Sequence, residues 1–285
     1  MAANNSRRIW LRAHTRRAAK YLLRRARAWL TEPDAMSGNP PAFGDDFNVY
    51  PELNWIFERL RAQCGGKFYP SYAWCTLHAA HLAKTLGIPR ISVIEFGVAG
   101  GNGLLALECV AEQTGAWLGV TVDVYGFDAG MGLPRPVDYR DLPNLYHQGD
   151  FPMDFERLEA RLERANLLLG DVRDTVPGFL ATSPSPIGFI AVDLDLYSST
   201  THALKVLLAE PRLLLPRIHC YFDDILGYTF ADHSGERLAI AEFNATNEHR
   251  KLSPIYGLRH FVPQSHRLWA WPDMVYLAHT LDHPL

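Results

Sequence analysis

Four apolar runs, each with an acid at or beside its carboxyl end, constrain this chain more than any other feature. "ISVIEF" (91–96) carries Glu95, and "VTVDVYGFD" (120–128) closes on Asp128. "PIGFIAVDLD" (186–195) closes on Asp193 and Asp195, and "RIHCYFDD" (217–224) on Asp223 and Asp224. Apolar, β-branched runs of this length read as buried strands. Helical patterns stand between them. They are "YPELNWIFERLRAQC" (50–64), "YAWCTLHAAHLAKTLG" (72–87), "GLLALECVAEQTG" (103–115, closed by Gly115), "PMDFERLEARLERA" (152–165), "STTHALKVLLAE" (199–210) and "GERLAIAEFNATNE" (235–248). "NLLLGDVRDTVPGFL" (166–180) reads as a short strand and a turn, and "HRLWAWPDMVYLAH" (266–279) as a terminal strand or hairpin. Strands alternating with helices predict an α/β fold, with a mostly parallel sheet covered on both faces. Ligands of such sheets bind outside the carboxyl ends of the strands. The acids stand at those ends.

Composition sets the outer limits. At 285 residues and 48% hydrophobic content, the chain suits one large domain with an extension. No run reaches the ~18 apolar residues that a membrane span needs. The net charge of −3 hides an asymmetry: residues 1–31 hold nine Lys or Arg and no acid, leaving 19 basic against 31 acidic residues elsewhere. An acidic body argues against nucleic acid as a partner. The basic stretch reads as a helix, and three roles stay open for it. It lies on anionic lipid or an acidic partner, it is a transit peptide, or it docks on its own acidic body. A Pro-, Gly- and Asp-rich linker follows, so residues 1–48 are expected to be an extension and 49–285 the folded domain. Cys64, Cys75, Cys109 and Cys220 show no paired spacing and are expected to be reduced thiols. The expected location is cytoplasmic, with membrane-peripheral contact through residues 1–31 as an option. Self-association is open.

"EFGVAGGNG" (95–103) follows a strand and opens a helix. Glycines there let the backbone approach a ligand, and a helix N-terminus offers N–H groups. Asp128 ends the next strand, 25 residues after Gly103, where a carboxylate can accept hydrogen bonds from both hydroxyls of a ribose. A nucleoside-type ligand is expected. The glycine spacing is not that of a dinucleotide turn, and no Gly-Lys-Ser or Gly-Lys-Thr marks a nucleotide phosphate loop. Glu95 would repel a pyrophosphate. It suits S-adenosylmethionine, which carries an ammonium and a sulfonium.

"EFGVAGGNG", "YGFDAGMGLPRP", "LLLGDVRDTVP", "FIAVDLDLYSST" and "YFDDILG" occur in this order. Together they resemble the macrocin O-methyltransferase family of class I S-adenosylmethionine-dependent methyltransferases, over roughly residues 65–250. The resemblance implies a Rossmann-like fold with a seven-stranded, mostly parallel sheet, magnesium dependence, and methylation of a hydroxyl on a small acceptor such as a sugar or glycoconjugate. It implies that Glu95, Gly97 and Gly101 line the methionine part of the donor and that Asp128 holds its ribose. Asp171 stands near the adenine amino group or is a turn acid. The basic N-terminus, the region around residues 131–155 and the C-terminal tail depart from the family pattern.

Asp193, Asp223 and Asp224 sit on adjacent strand ends, about 4.8 Å apart in a sheet. Packed carboxylates repel unless a proton or cation intervenes. A hard divalent ion with oxygen ligands meets this need, and magnesium leaves water positions open for a substrate diol. These three acids are the expected metal ligands, with Asp193 also the first choice of general base and His147 and His233 as alternatives. Asp193 could also act as a base with no ion. Asp195 should point away from Asp193, because side chains alternate along a strand, and it would cap a helix starting at Ser199. Tyr197 and Thr200 read as supports. Residues 131–155 read as a lid. Two rival functions stay open: an NAD-linked oxidoreductase and a non-catalytic binding or scaffold protein.

Overall fold

The computed structural model describes residues 51–285 apart from Tyr228 and Thr229. The expectations for the basic helix and for a boundary at residue 48 lie outside the described residues.

Two helices come first, α1 (Pro51–Cys64) and α2 (Pro70–Leu86), the second ended by Gly87 in the left-handed conformation. The chain then alternates: β1 (Arg90–Phe96), α3 (Asn102–Leu118), β2 (Thr121–Asp128), α4 (Phe155–Glu159), β3 (Asn166–Leu169), α5 (Val172–Ala181), β4 (Ile187–Val192), α6 (Tyr197–Ala203), β5 (Leu214–Phe222) and α7 (Gly235–Thr246). Strands β6 (Arg250–Pro254) and β7 (Val275–Thr280) close it. All seven strands form one sheet in the order β3-β2-β1-β4-β5-β7-β6. The first five pair in parallel, and β7 runs antiparallel to both of its neighbours. This is the expected seven-stranded, mostly parallel, Rossmann-like sheet.

The order reverses direction between β1 and β4. Right-handed crossovers on either side of such a point put their helices on opposite faces. Helices α1, α2 and α3 accordingly pack on one another, and α6 packs on both α5 and α7. Every residue of β4 is buried, and β1 is buried from Ile91 onward, as a central strand covered on both faces requires.

Several local expectations are corrected. Helix α3 does not stop at Gly115 but runs to Leu118, which is buried, and Gly119 caps it. The charged stretch 152–165 forms only the five-residue α4. Glu108 of α3 explains the early stop: its Oε1 accepts the N–H groups of Glu163 (2.9 Å), Arg164 and Ala165 (2.7 Å), which a continuing helix would have kept. Residues 172–181 form a helix where a turn was expected, with Asp171 as N-cap accepting from Arg173 N–H (2.8 Å). Strand β6 was not foreseen; its "RKLSP" lacks the apolar signature because it is an edge strand.

The cysteine expectation also changes. Cys64 of α1 and Cys109 of α3 form a disulfide across 45 residues of sequence, while Cys75 and Cys220 are free and buried. Closing a loop of that length in the unfolded chain is worth about 4 kcal/mol on the chain-entropy account. No described helix is long and apolar enough to cross a membrane.

Candidate active site

The carboxyl ends of β1, β2, β4 and β5 converge where the sheet order reverses. Gly97 follows β1 with φ +85°, and a Cβ built on it would lie 1.7 Å from the Asp193 carbonyl oxygen. Its N–H donates to Phe127 O (2.9 Å), and Asp193 N–H donates to Phe96 O (2.9 Å). The turn therefore passes between two neighbouring strand ends at a separation only glycine allows. Gly101 is the N-cap of α3. Asp128 fixes the turn from the side: its Oδ2 accepts from Val98 and Ala99 N–H (2.9 Å each) and its Oδ1 from Gly130 N–H (2.6 Å).

Glu95 lies behind the turn and is 2% exposed. Its Oε1 accepts from the Tyr72 hydroxyl (2.8 Å), while Oε2 is buried with no hydrogen-bond partner among the described residues. Gly103 makes room for this carboxylate, because a Cβ there would come within 1.9 Å of Glu95 Oε1. Burial pushes the Glu95 carboxyl well above the usual range; the Tyr72 bond opposes this, and the Asp193 and Asp128 charges add to it. A cationic group beside Oε2 would reverse the shift.

The acids of β4 and β5 form the second centre. Asp193, Asp195 and Asp224 each bring a carboxylate oxygen within 4.8 Å of the others. Asp195 does not alternate with Asp193 along a strand, because β4 ends at Val192. Asp195 has φ +60°, and Leu196 N–H donates to Leu194 O (2.5 Å), closing a three-residue turn that brings Asp195 to the side of Asp193. Nor does Asp195 cap a helix: α6 begins at Tyr197, with Leu196 as N-cap. Asp223 is exposed and lines the same cavity, its Oδ1 accepting from the Tyr221 hydroxyl (2.6 Å). Burial first, then the charges of Asp223, Asp224 and Asp195, raise the Asp193 carboxyl to about 8. Asp195 and Asp224 are raised as well, chiefly by burial. Asp224 Oδ2 is buried without a partner among the described residues. A divalent cation among these carboxylates would relieve both the repulsion and the orphaned oxygen.

Residues 131–155 cover this edge as an ordered segment. Asp141, 1% exposed, accepts from Val137 N–H (2.8 Å), Ser198 N–H (2.7 Å) and the Ser198 hydroxyl (2.9 Å). Arg140 donates to the Tyr197 hydroxyl (3.0 Å), which donates to Glu242 (2.6 Å). Tyr146 reaches inward, its hydroxyl donating to Asp224 Oδ1 (3.3 Å). Thr200 bonds only locally, to Leu196 O (2.9 Å).

One cavity of about 850 Å³ joins the two centres. Glu95, Gly97, Gly101, Asp128, Asp171, Asp193, Asp223 and Asp224, all singled out in the sequence, line it. Asp171 does so while paired with Arg173 (2.7 Å), which holds its carboxyl below the usual range. His147 and His233 are not among the lining residues. His147 is exposed beside Asp150 (3.6 Å), and His233 is exposed in the loop before α7. Tyr72, Tyr146, Arg140 and Glu236 escaped sequence reasoning. They stand in helices or loops with no motif, and only the fold brings Tyr72, Tyr146 and Glu236 to the acids and Arg140 to Tyr197.

No protein-family model matches the chain, and no curated protein matches it. Among solved structures the chain is similar to CalS11, a calicheamicin methyltransferase, at 24% identity over 78% of this chain and 96% of that one (TM-score 0.46). It is similar to the O-methyltransferase NovP at 18% identity over 62% and 72% of the two chains (TM-score 0.47). It is also similar to the MycE methyltransferase of the mycinamycin pathway, in complex with Mg, SAH and mycinamycin VI, at 14% identity over 84% and 57% (TM-score 0.39).

Proposed function

We propose that residues 49–285 form a magnesium-assisted, S-adenosylmethionine-dependent O-methyltransferase of the macrocin-like kind, acting on a hydroxyl of a small acceptor such as a sugar or glycoconjugate. The observation that carries this reading is the single cavity joining a buried, half-partnered Glu95 behind a glycine turn to a cluster of carboxylates at the switch point of the sheet.

The donor is a cation, and the residues fit one. Glu95 Oε2 would accept the ammonium, and the Gly97–Gly101 turn would line the methionine part of the donor. Asp128 has acceptor capacity left on Oδ1 for a ribose hydroxyl. Asp171 and Arg173 would bound the adenine end. Asp193 and Asp224 would be the metal donors, flanked by Asp195 and Asp223. Magnesium supplies Lewis acidity that lowers the pKa of a coordinated hydroxyl.

The chain's own residues do the rest. Leu133, Pro134 and Phe151 form an apolar part of the cavity wall. Asp193 takes the hydroxyl proton. The acceptor oxygen forms a bond to the methyl carbon as the carbon–sulfur bond breaks. The bonding pair leaves with sulfur as a neutral thioether, and the proton passes from Asp193 to water. Reach and alignment supply most of the acceleration.

Incubation with S-adenosylmethionine, magnesium and a panel of hydroxylated sugars tests this. A methylated product is expected, formation of which stops in EDTA and returns with magnesium. Full activity in EDTA overturns the metal role. Calorimetry showing NAD bound in preference to S-adenosylhomocysteine overturns the reading as a whole.

A further inference from the structure

Glu236 stands in the first turn of α7 and is fully buried. A carboxylate is rarely placed there without a partner of matching charge. Its Oε2 accepts the backbone N–H of Asp224 (3.0 Å), and its Oε1 is buried with no hydrogen-bond partner among the described residues. Asp224 needs such support. Its backbone sits at φ −102°, ψ 32°, a sparsely populated region, inside the short turn Asp223–Ile225. Tyr146 holds the Asp224 side chain at Oδ1, so Glu236 and Tyr146 grip the residue from backbone and side chain. Glu236 is not among the three acids whose oxygens converge within 4.8 Å, so it stands behind them.

We infer that Glu236 is a positioning residue for the metal site: it anchors the turn that aims Asp224 at the ion, and its negative charge completes the field around that ion. The inference rests on the metal reading above. Outer-shell partners of this kind orient ligands and typically change metal affinity about 10- to 100-fold when removed. The buried orphan Oε1 fits the same role, because a carboxylate too far back to touch a cation still gains from its field.

The test is magnesium titration by calorimetry on wild type, Glu236→Leu and Glu236→Gln. Thermal unfolding and S-adenosylhomocysteine binding run alongside as controls for folding. Leu keeps the volume and removes the acceptor; Gln keeps the acceptor and removes the charge. The expected result is a magnesium Kd raised about 10- to 100-fold in Glu236→Leu. Glu236→Gln should recover at least half of that loss on a logarithmic scale, with nucleoside binding unchanged in both. Leu binding magnesium within about threefold of wild type overturns the inference, as does a Gln variant no better than Leu. If Leu fails to fold, Gln decides alone: a magnesium Kd raised about 3- to 10-fold supports the inference, and a Kd within about threefold of wild type or more than about 10-fold above it overturns it. A wild type that binds no magnesium overturns the metal reading itself, a result distinct from all of these.

Discussion

Asp193 and Asp128 are both acids at strand ends, yet their surroundings give them opposite work. Asp128 spends its carboxylate on three backbone N–H groups and so builds the turn before it can touch a ligand. Asp193 faces other acids, and its carboxyl rises to about 8. Asp128→Ala should therefore cost about 2 kcal/mol of stability, from N–H groups left without partners, and weaken S-adenosylhomocysteine binding at least tenfold. Asp193→Asn should remove a repelling charge, leave nucleoside binding intact and abolish magnesium binding. Denaturant unfolding and calorimetry check both. Equal effects of the two variants on both ligands would contradict the division of labour.

At the scale of elements, the β1–α3 connection is the most constrained. Helix α3 has to begin close enough to β1 for Gly103 to meet the Glu95 carboxylate, which is itself held by Tyr72 of α2. Three elements thus share one buried acid. Gly103→Ala places a methyl group where Glu95 Oε1 now lies, and the displaced carboxylate loses its Tyr72 bond. The expected outcome is loss of S-adenosylhomocysteine affinity by at least tenfold with helix content retained, read by calorimetry and circular dichroism. Unaltered affinity would remove Glu95 from the donor site. The lesson of α4 is similar. The sequence 152–165 has helical composition, and Glu108 from another helix takes the N–H groups that would have extended it. A pattern local to one segment carries no sign of such a competitor.

For the molecule as a whole, titration sets the pH range of stability. His219, in the interior strand β5, is buried beside Trp74 and His78, and burial lowers its pKa to about 3. The unfolded value is near 6.5. The folded value is depressed, so this stability is complete above pH 6.5 and is lost as pH falls toward 3, by up to about 1.4 kcal/mol per pH unit. Asp193 works in the other sense, since its raised value favours the folded state as pH falls from about 8 toward the ordinary carboxylate range. Comparing wild type with His219→Leu separates the two. As pH falls from 6.5 to 4.5 the Tm of the variant should rise relative to that of wild type, and a constant difference between the two would show that His219 does not titrate as described. The sequence by itself determined the α/β alternation, the parallel core of the sheet and the strand-end placement of Glu95, Asp128, Asp193, Asp223 and Asp224. Those features follow from hydrophobic period and from chain order, which are local. Tertiary structure alone decided that Asp195 turns in beside Asp193, that Tyr146 and Glu236 hold Asp224, that His147 and His233 stay outside the cavity, and that Cys64 meets Cys109. Each of these depends on the packing of segments far apart in sequence, and no local pattern of residues encodes a partner that arrives from elsewhere in the fold.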